Sequence, residues 1–123
     1  MTLRQKQTSF WLNVAKLIVY AQALGTQLFV NEWIRSAATQ AANVAKGASA
    51  TMNSMHLYGL AVDLLQLKDV MDDGMINMTF DDYKALGEYW ESLDPNNIWG
   101  GRFGTGGNKN KKGWDSCHFE YRG

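Results

Sequence analysis

A carboxylate in the middle of an apolar segment is the feature that most limits how this chain can fold. Residues 59–67, Gly-Leu-Ala-Val-Asp-Leu-Leu-Gln-Leu, have the length and composition of a central strand, and Asp63 lies at its centre. A buried, unpaired carboxylate costs on the order of several kcal/mol. We therefore expect Asp63 to bind a cation or a partner, unless the alternation of side chains along the strand points it outward.

Other segments have helical or strand patterns. The predicted helices are residues 8–24, starting near Thr8 or Ser9 and stopped by Gly25, residues 36–45, and a segment from a Thr79 cap to Asp94-Pro95. The further predicted strands are residues 27–34 and 117–121, and the predicted loops are residues 48–56 and 100–113. This order favours an α+β class: a small single domain, residues 1–123, with a central antiparallel sheet flanked by helices.

The chain has two histidines, His56 and His118. Catalytic zinc takes three protein ligands from imidazole and carboxylate groups and leaves one position for water. If the strand with Asp63 pairs with the last strand, both histidines and Asp63 can converge. Asp115, three residues before His118, can then exchange protons with the metal-bound water. The competing interpretation is that each histidine simply packs or lies on the surface, as single histidines more often do.

Two motifs carry a family resemblance. Ser-x-His-x-x-Gly-x-Ala-x-Asp spans residues 54–63, and Asp-x-x-His-Phe-Glu spans residues 115–120. Together they resemble the signature of the D-alanyl-D-alanine carboxypeptidase family of zinc peptidases, which includes D,D-dipeptidases, D,D-carboxypeptidases and the L-alanyl-D-glutamate endopeptidases used as phage endolysins. The resemblance covers about residues 30–121. It implies a zinc site in a surface cleft, with His56, Asp63 and His118 as ligands and Asp115 as the catalytic acid/base.

The same resemblance implies roles for three more residues. Arg35 matches the family's arginine that faces the substrate carbonyl, where it would stabilise the developing oxyanion. Ser54 and Gln40 match positions that contact substrate in the family. Ile34 departs from the family's usual tyrosine before Arg35. Glu120 is open to two interpretations, a residue that orients His118 or a surface carboxylate.

The expected function is hydrolysis of peptidoglycan stem peptides. Aspartate at position 115 is similar to the endopeptidase branch, which favours the L-alanyl-D-glutamate bond and a phage-type endolysin. Two alternatives stay open: a D,D-carboxypeptidase or dipeptidase of cell-wall metabolism, and a non-catalytic, zinc-stabilised module that binds the cell wall.

The charge composition of the chain argues against one class of binding partner. Twelve basic and twelve acidic residues give a net charge of zero, which argues against nucleic-acid binding. The helical spacing of the N-terminal apolar residues favours a core helix over a signal peptide or a membrane span. We therefore expect a monomer in the host cytoplasm, released to the cell wall by a holin-type partner.

The single cysteine, Cys117, allows no intrachain disulfide and is expected to be a small buried residue.

Overall fold

A computed structural model describes residues 1–46, 54–103 and 115–123. Within these residues the helices are α1 (Leu3–Ala23), α2 (Ala37–Ala45) and α3 (Phe80–Leu93), and the strands are β1 (Leu28–Glu32), β2 (Ala61–Gln66), β3 (Asn97–Trp99) and β4 (His118–Tyr121). Short 3₁₀ turns occupy Met55–Tyr58, Leu67–Asp69 and Gly100–Arg102. The predicted α+β class with an antiparallel sheet flanked by helices is confirmed.

The four strands form one antiparallel sheet in the order β1-β2-β4-β3. The central pair, β2 and β4, places Asp63 directly opposite His118. The sequence predicts that the ligands can converge if the strand with Asp63 pairs with the last strand, and this pairing is confirmed. Strand β3 was not predicted, because three residues are too few to show an alternating pattern; it forms by pairing with β4.

Helices α1 and α3 share one hydrophobic core with the sheet. Phe10 of α1 packs edge-on against Trp90 of α3, with ring centroids 5.5 Å apart, and Trp90 packs in the same way on Phe119 of β4 at 5.9 Å. The buried indole nitrogens of Trp90 and Trp99 donate to the carbonyls of Glu120 and Ser116. These bonds tie the core to the segment that carries His118.

The predicted start of the first helix is wrong. α1 begins at Leu3, capped by Thr2, whose side chain accepts from the Gln5 amide while the Gln5 side chain accepts from the Thr2 amide. Thr8 lies inside the helix and bonds the carbonyl of Arg4. The polar first turn has no apolar stripe, so periodicity alone cannot find it.

The other two helices begin where the sequence predicts. Ser36 caps α2 by accepting from the Thr39 amide, and Thr79 caps α3 by accepting from the Asp82 amide. The predicted loops lie largely outside the described residues, and the described parts of them include the 3₁₀ turns that carry His56 and Gly100. Among the described helices, none combines the length and apolar character needed to cross a membrane.

Candidate metal centre

His56 presents one ring nitrogen to the interior without a partner. It lies in the Met55–Tyr58 turn, which begins at Ser54, whose side chain accepts from the His56 amide. The His56 Nδ1 lies 2.7 Å from the carbonyl oxygen of Trp33, so Nδ1 carries the proton and donates. Nε2 is the acceptor of the neutral ring; it is buried and has no hydrogen-bond partner among the described residues.

That unpartnered nitrogen faces two other potential ligands. His56 Nε2 lies 3.3 Å from Asp63 Oδ1, and the same oxygen lies 3.1 Å from His118 Nδ1. One ligand atom from each of the three residues lies within 4.8 Å of the others. A nitrogen lone pair facing a carboxylate is unfavourable unless a proton or a metal ion lies between them. Two imidazole nitrogens and one carboxylate oxygen are a donor set that zinc accepts, so these residues fit the metal that the sequence predicts.

The second nitrogen of His118 is fixed by Glu120. His118 Nε2 lies 2.7 Å from Glu120 Oε1, and only 3% of Glu120 is exposed. An imidazole that donates one N–H to a carboxylate turns its other nitrogen toward the metal, as metal-binding histidines commonly do. Of the two interpretations of Glu120, the structure favours the one in which it orients His118.

The electrostatics of the centre favour positive charge. Burial raises the pKa of Asp63, but contacts with His118 and His56 outweigh burial and hold that pKa well below its usual range. Burial lowers the pKa of His118, but hydrogen bonds to Asp63 and Glu120 raise it to about 10. Without a metal, a protonated His118 thus supplies the positive charge that a metal ion would supply.

Asp115 lies beside this group and is not one of the three converging ligands. Its Oδ2 is 3.7 Å from His118 Nδ1. Burial raises its pKa, nearby His118 lowers it and Asp63 raises it again, to about 6. A carboxyl group with that pKa can both accept and release a proton near neutral pH.

Cys117 is buried, as predicted, but precedes β4 instead of lying on it. Its sulfur, Asp63 and Asp115 form a second group within 4.8 Å. Burial and the two nearby carboxylates raise the pKa of the Cys117 thiol. The thiol is therefore protonated near neutral pH, which makes it a poor ligand and a poor nucleophile.

Arg35 is held by two acceptors on the strand and helix that flank it. Its Nη1 donates to Gln40 Oε1 at 2.5 Å, and its Nη2 pairs with Glu32. Its backbone amide donates to the carbonyl of His56, which ties this segment to the metal centre. Gln40 is fully buried, and its side-chain oxygen accepts from Arg35. Substrate contact by Gln40 or Ser54 stays a prediction.

Sequence reasoning missed three residues that support the centre. Glu32 pairs with Arg35, and its spacing of three residues is a signal that could have found it. Trp33 contributes a backbone carbonyl, which leaves no mark in the sequence. Gln7 of α1 donates to the carbonyl of Tyr58, at the end of the turn with His56, and nothing in the sequence links these distant segments.

Comparisons with known proteins agree with this geometry. A protein-family model described as D-alanyl-D-alanine carboxypeptidase matches residues 47–121. An L-alanyl-D-glutamate peptidase from a Listeria phage is 43% identical over 53 residues, which are 43% of this chain and 19% of the relative. The matched segment thus spans about a fifth of that curated relative.

Two solved structures are similar in fold. One is the L-Ala D-Glu endopeptidase ChiX of Serratia marcescens, with a TM-score of 0.56 and 29% identity, covering 79% of this chain and 68% of that one. The other is the vancomycin resistance D,D-pentapeptidase VanY in complex with Zn(II), with a TM-score of 0.54 and 21% identity, covering 93% of this chain and 71% of that one.

Proposed function

We propose, from the premise that this chain belongs to the D-alanyl-D-alanine carboxypeptidase family, that it is a zinc-dependent peptidase of peptidoglycan stem peptides. The proposal assigns His56, Asp63 and His118 as the zinc ligands and Asp115 as the proton-transfer group. It treats residues 1–123 as one catalytic domain. The observation that carries it is the convergence of the three ligand atoms around the unpartnered Nε2 of His56.

Zinc, when bound, supplies a Lewis acid that makes water a nucleophile near neutral pH. Asp115 takes the proton from the attacking water and passes it to the leaving amine. One observation supports this role: the carboxyl group is next to the ligands without being one of them, with its Oδ2 3.7 Å from His118 Nδ1. His56 and His118 are each fixed by an acceptor on the far side of the ring, so neither needs to reorient during the reaction.

Arg35 is proposed to stabilise the negative charge that develops on the substrate carbonyl oxygen. A guanidinium has five N–H donors, and the described residues Gln40 and Glu32 engage its two terminal nitrogens. Each terminal nitrogen carries a second hydrogen that can be directed at an oxyanion. Because its two acceptors hold the guanidinium in place, little reorganisation is needed when the charge appears.

The proposed bond is the one between L-alanine and D-glutamate. Support comes from the phage relative and ChiX, whose names both specify that bond, and from aspartate at position 115. The competing proposal is removal of a terminal D-alanine, the activity named in the description of the family model. The natural setting that we propose is lysis of a bacterial host by a phage, with a separate holin-type partner giving access to the wall.

The test is digestion of purified peptidoglycan, with and without a chelator, and identification of the new termini by mass spectrometry. We expect new N-terminal D-glutamate that disappears on chelation and returns with added zinc. Released D-alanine instead would replace the endopeptidase assignment by the carboxypeptidase. A folded, zinc-loaded protein that cleaves neither bond would refute the enzymatic proposal and favour a cell-wall binding module.

A further inference from the structure

His118 belongs to a closed ring of contacts that Glu120, Arg122 and Phe103 complete. Glu120 Oε1 lies 2.7 Å from His118 Nε2, and Glu120 Oε2 accepts a hydrogen bond from Arg122 Nε. The guanidinium carbon of Arg122 lies 5.8 Å from the centre of the Phe103 ring. The Phe103 ring in turn lies 5.5 Å from the His118 ring, tilted by 50°. The contacts thus return to the imidazole from which they start.

Within this ring, Glu120 depends on Arg122 for the partner of its second oxygen. Glu120 is 3% exposed, and a buried carboxylate that loses a charged partner retains an uncompensated charge. The side chain of Arg122 is 54% exposed, so it closes the ring from the solvent side. Its backbone amide donates to the carbonyl of Asn96 at 3.0 Å, which fixes the start of the side chain.

The two contacts of Arg122 act on His118 from different directions. The ion pair holds Glu120 so that its other oxygen receives the Nε2 proton of His118. The cation–π contact holds Phe103 beside the His118 ring. Together they aim Nδ1 at Asp63 Oδ1, 3.1 Å away.

We propose that Arg122 is a positioning residue of the metal centre, which fixes His118 as a ligand through Glu120 and Phe103. The inference rests on the proposed function, because it takes His118 to be a zinc ligand. Arg122 itself contacts neither the proposed metal position nor the proton-transfer group. Its effect is therefore on metal affinity and coordination geometry, and only through them on hydrolysis.

The chain offers a matched control in Arg102. The side chain of Arg102 is 50% exposed, its Nε lies 2.7 Å from Glu91 Oε1, and its guanidinium carbon lies 5.6 Å from the centre of the Trp99 ring. It therefore has the same two kinds of contact as Arg122. In the described part of the chain, its carboxylate partner Glu91 bonds Arg102 and the Trp99 amide and no proposed zinc ligand, whereas Glu120 bonds His118.

The experiment compares wild type, Arg122→Ala, Arg122→Lys and Arg102→Ala. Zn²⁺ affinity is measured by competition with a chromophoric chelator, coordination geometry by the visible absorption of bound Co²⁺, and folding by the Tm of the metal-free proteins. We expect Arg122→Ala to weaken Zn²⁺ binding about tenfold or more and to shift the Co²⁺ bands. Arg122→Lys should recover part of the affinity, because an ammonium group can still bond Glu120. Arg102→Ala should bind both metals as wild type does.

The outcomes separate this inference from the proposed function. Equal Zn²⁺ affinities and Co²⁺ spectra for Arg122→Ala and Arg102→Ala would overturn the positioning role. A folded wild-type protein that binds no Zn²⁺ would instead reject the metal centre itself. If Arg122→Ala does not fold, Arg122→Lys is compared with Arg102→Lys by the same criteria, and equal affinity there overturns the inference.

Discussion

Both histidines of the proposed metal centre are held by a hydrogen bond at one ring nitrogen, although His56 lies in a 3₁₀ turn and His118 lies on a strand. His56 donates from Nδ1 to a backbone carbonyl, and His118 donates from Nε2 to a carboxylate. The remaining nitrogen of each ring then faces Asp63. The orientation of each ring is thus set by its outer hydrogen bond, and both rings can bind a cation without rotating.

Replacing Asp115 by Ala should separate catalysis from metal binding. Because Asp115 is beside the three ligands and not among them, we expect Zn²⁺ to stay bound while the rate of peptide hydrolysis falls by about 10² to 10⁴. The measurement is zinc content by atomic absorption together with the rate of appearance of new peptide termini. His56→Ala is the comparison and should lose metal and activity together. Loss of zinc from Asp115→Ala would mean that Asp115 is a ligand.

The metal-free protein should become less stable as pH rises from 6.5 toward 10. In the folded state, hydrogen bonds to Asp63 and Glu120 outweigh the effect of burial and raise the pKa of His118 from 6.5 to about 10. A pKa raised by folding contributes stability that is complete below the unfolded pKa and is lost as pH passes the folded one. We expect the free energy of unfolding to fall by on the order of a few kcal/mol across this pH range. The measurement is the Tm in the presence of chelator, which should fall as pH rises.

A His118→Gln variant is the control for that titration. It lacks the imidazole, so its Tm in chelator should vary much less between pH 6.5 and 10 than that of wild type. Equal slopes for the two proteins would show that other groups cause the change. Over the same range, Zn²⁺ affinity of the wild type should increase with pH, since the metal competes with the proton for His118.

At the scale of elements, the proposed centre depends on two short turns that press against the central strands. The Met55–Tyr58 turn carries His56 and ends at Gly59, whose φ of +66° lies in the left-handed region. The Gly100–Arg102 turn lies against the turn that carries Asp115 and against His118. In both turns, irregular backbone lies close to the sheet. The sequence of these two segments showed only that they lack a helical or strand pattern.

Gly100→Ala should damage the centre without touching a proposed ligand. An added Cβ would lie 2.3 Å from the carbonyl oxygen of Asp115 and 2.6 Å from the Cβ of His118. Since the first of these atoms belongs to the backbone, the Asp115 turn must move. We expect Zn²⁺ affinity and hydrolysis each to fall about tenfold or more, as displacement of support around a metal ligand commonly causes.

Gly25→Ala provides the comparison for that substitution. Gly25 has a φ of +89°, and an added Cβ there would meet no atom within 4 Å. This variant should lose about 1 kcal/mol of stability from backbone strain and keep its Zn²⁺ affinity. If both glycine variants bind Zn²⁺ as wild type does, close packing at Gly100 does not position the Asp115 turn.

For the whole molecule, one tryptophan joins the helical layer, the edge of the sheet and the segment before His118. Trp99 of β3 is fully buried and its indole nitrogen lies 2.7 Å from the carbonyl oxygen of Ser116. The ring packs directly on Gly87 of α3, where an added Cβ would lie 2.0 Å from Cδ2 of the indole. Stability and the position of β4 are therefore linked through the same side chain.

Gly87→Ala should destabilise the entire fold. The extra methyl group cannot fit beside Trp99 without moving the indole or the helix, and overpacking of this kind costs about 1–3 kcal/mol. We expect the Tm of the metal-free protein to fall by roughly 5–10 °C. Lys84→Ala, at an exposed position of the same helix, should leave the Tm within about 2 °C. Equal Tm values for the two variants would contradict this account of the packing.

The sequence by itself determined the class of fold, the cap of α3, and the residues proposed as ligands. Each of these leaves a local mark: apolar periodicity, a capping residue, or a carboxylate within an apolar strand. It did not determine β3, the start of α1, or the contacts of Arg35, Glu120 and Arg122. Those depend on which strands pair and which side chains meet across the sheet. Such contacts join residues far apart in the chain, and partners like the Trp33 carbonyl belong to a backbone that is chemically the same at nearly every residue.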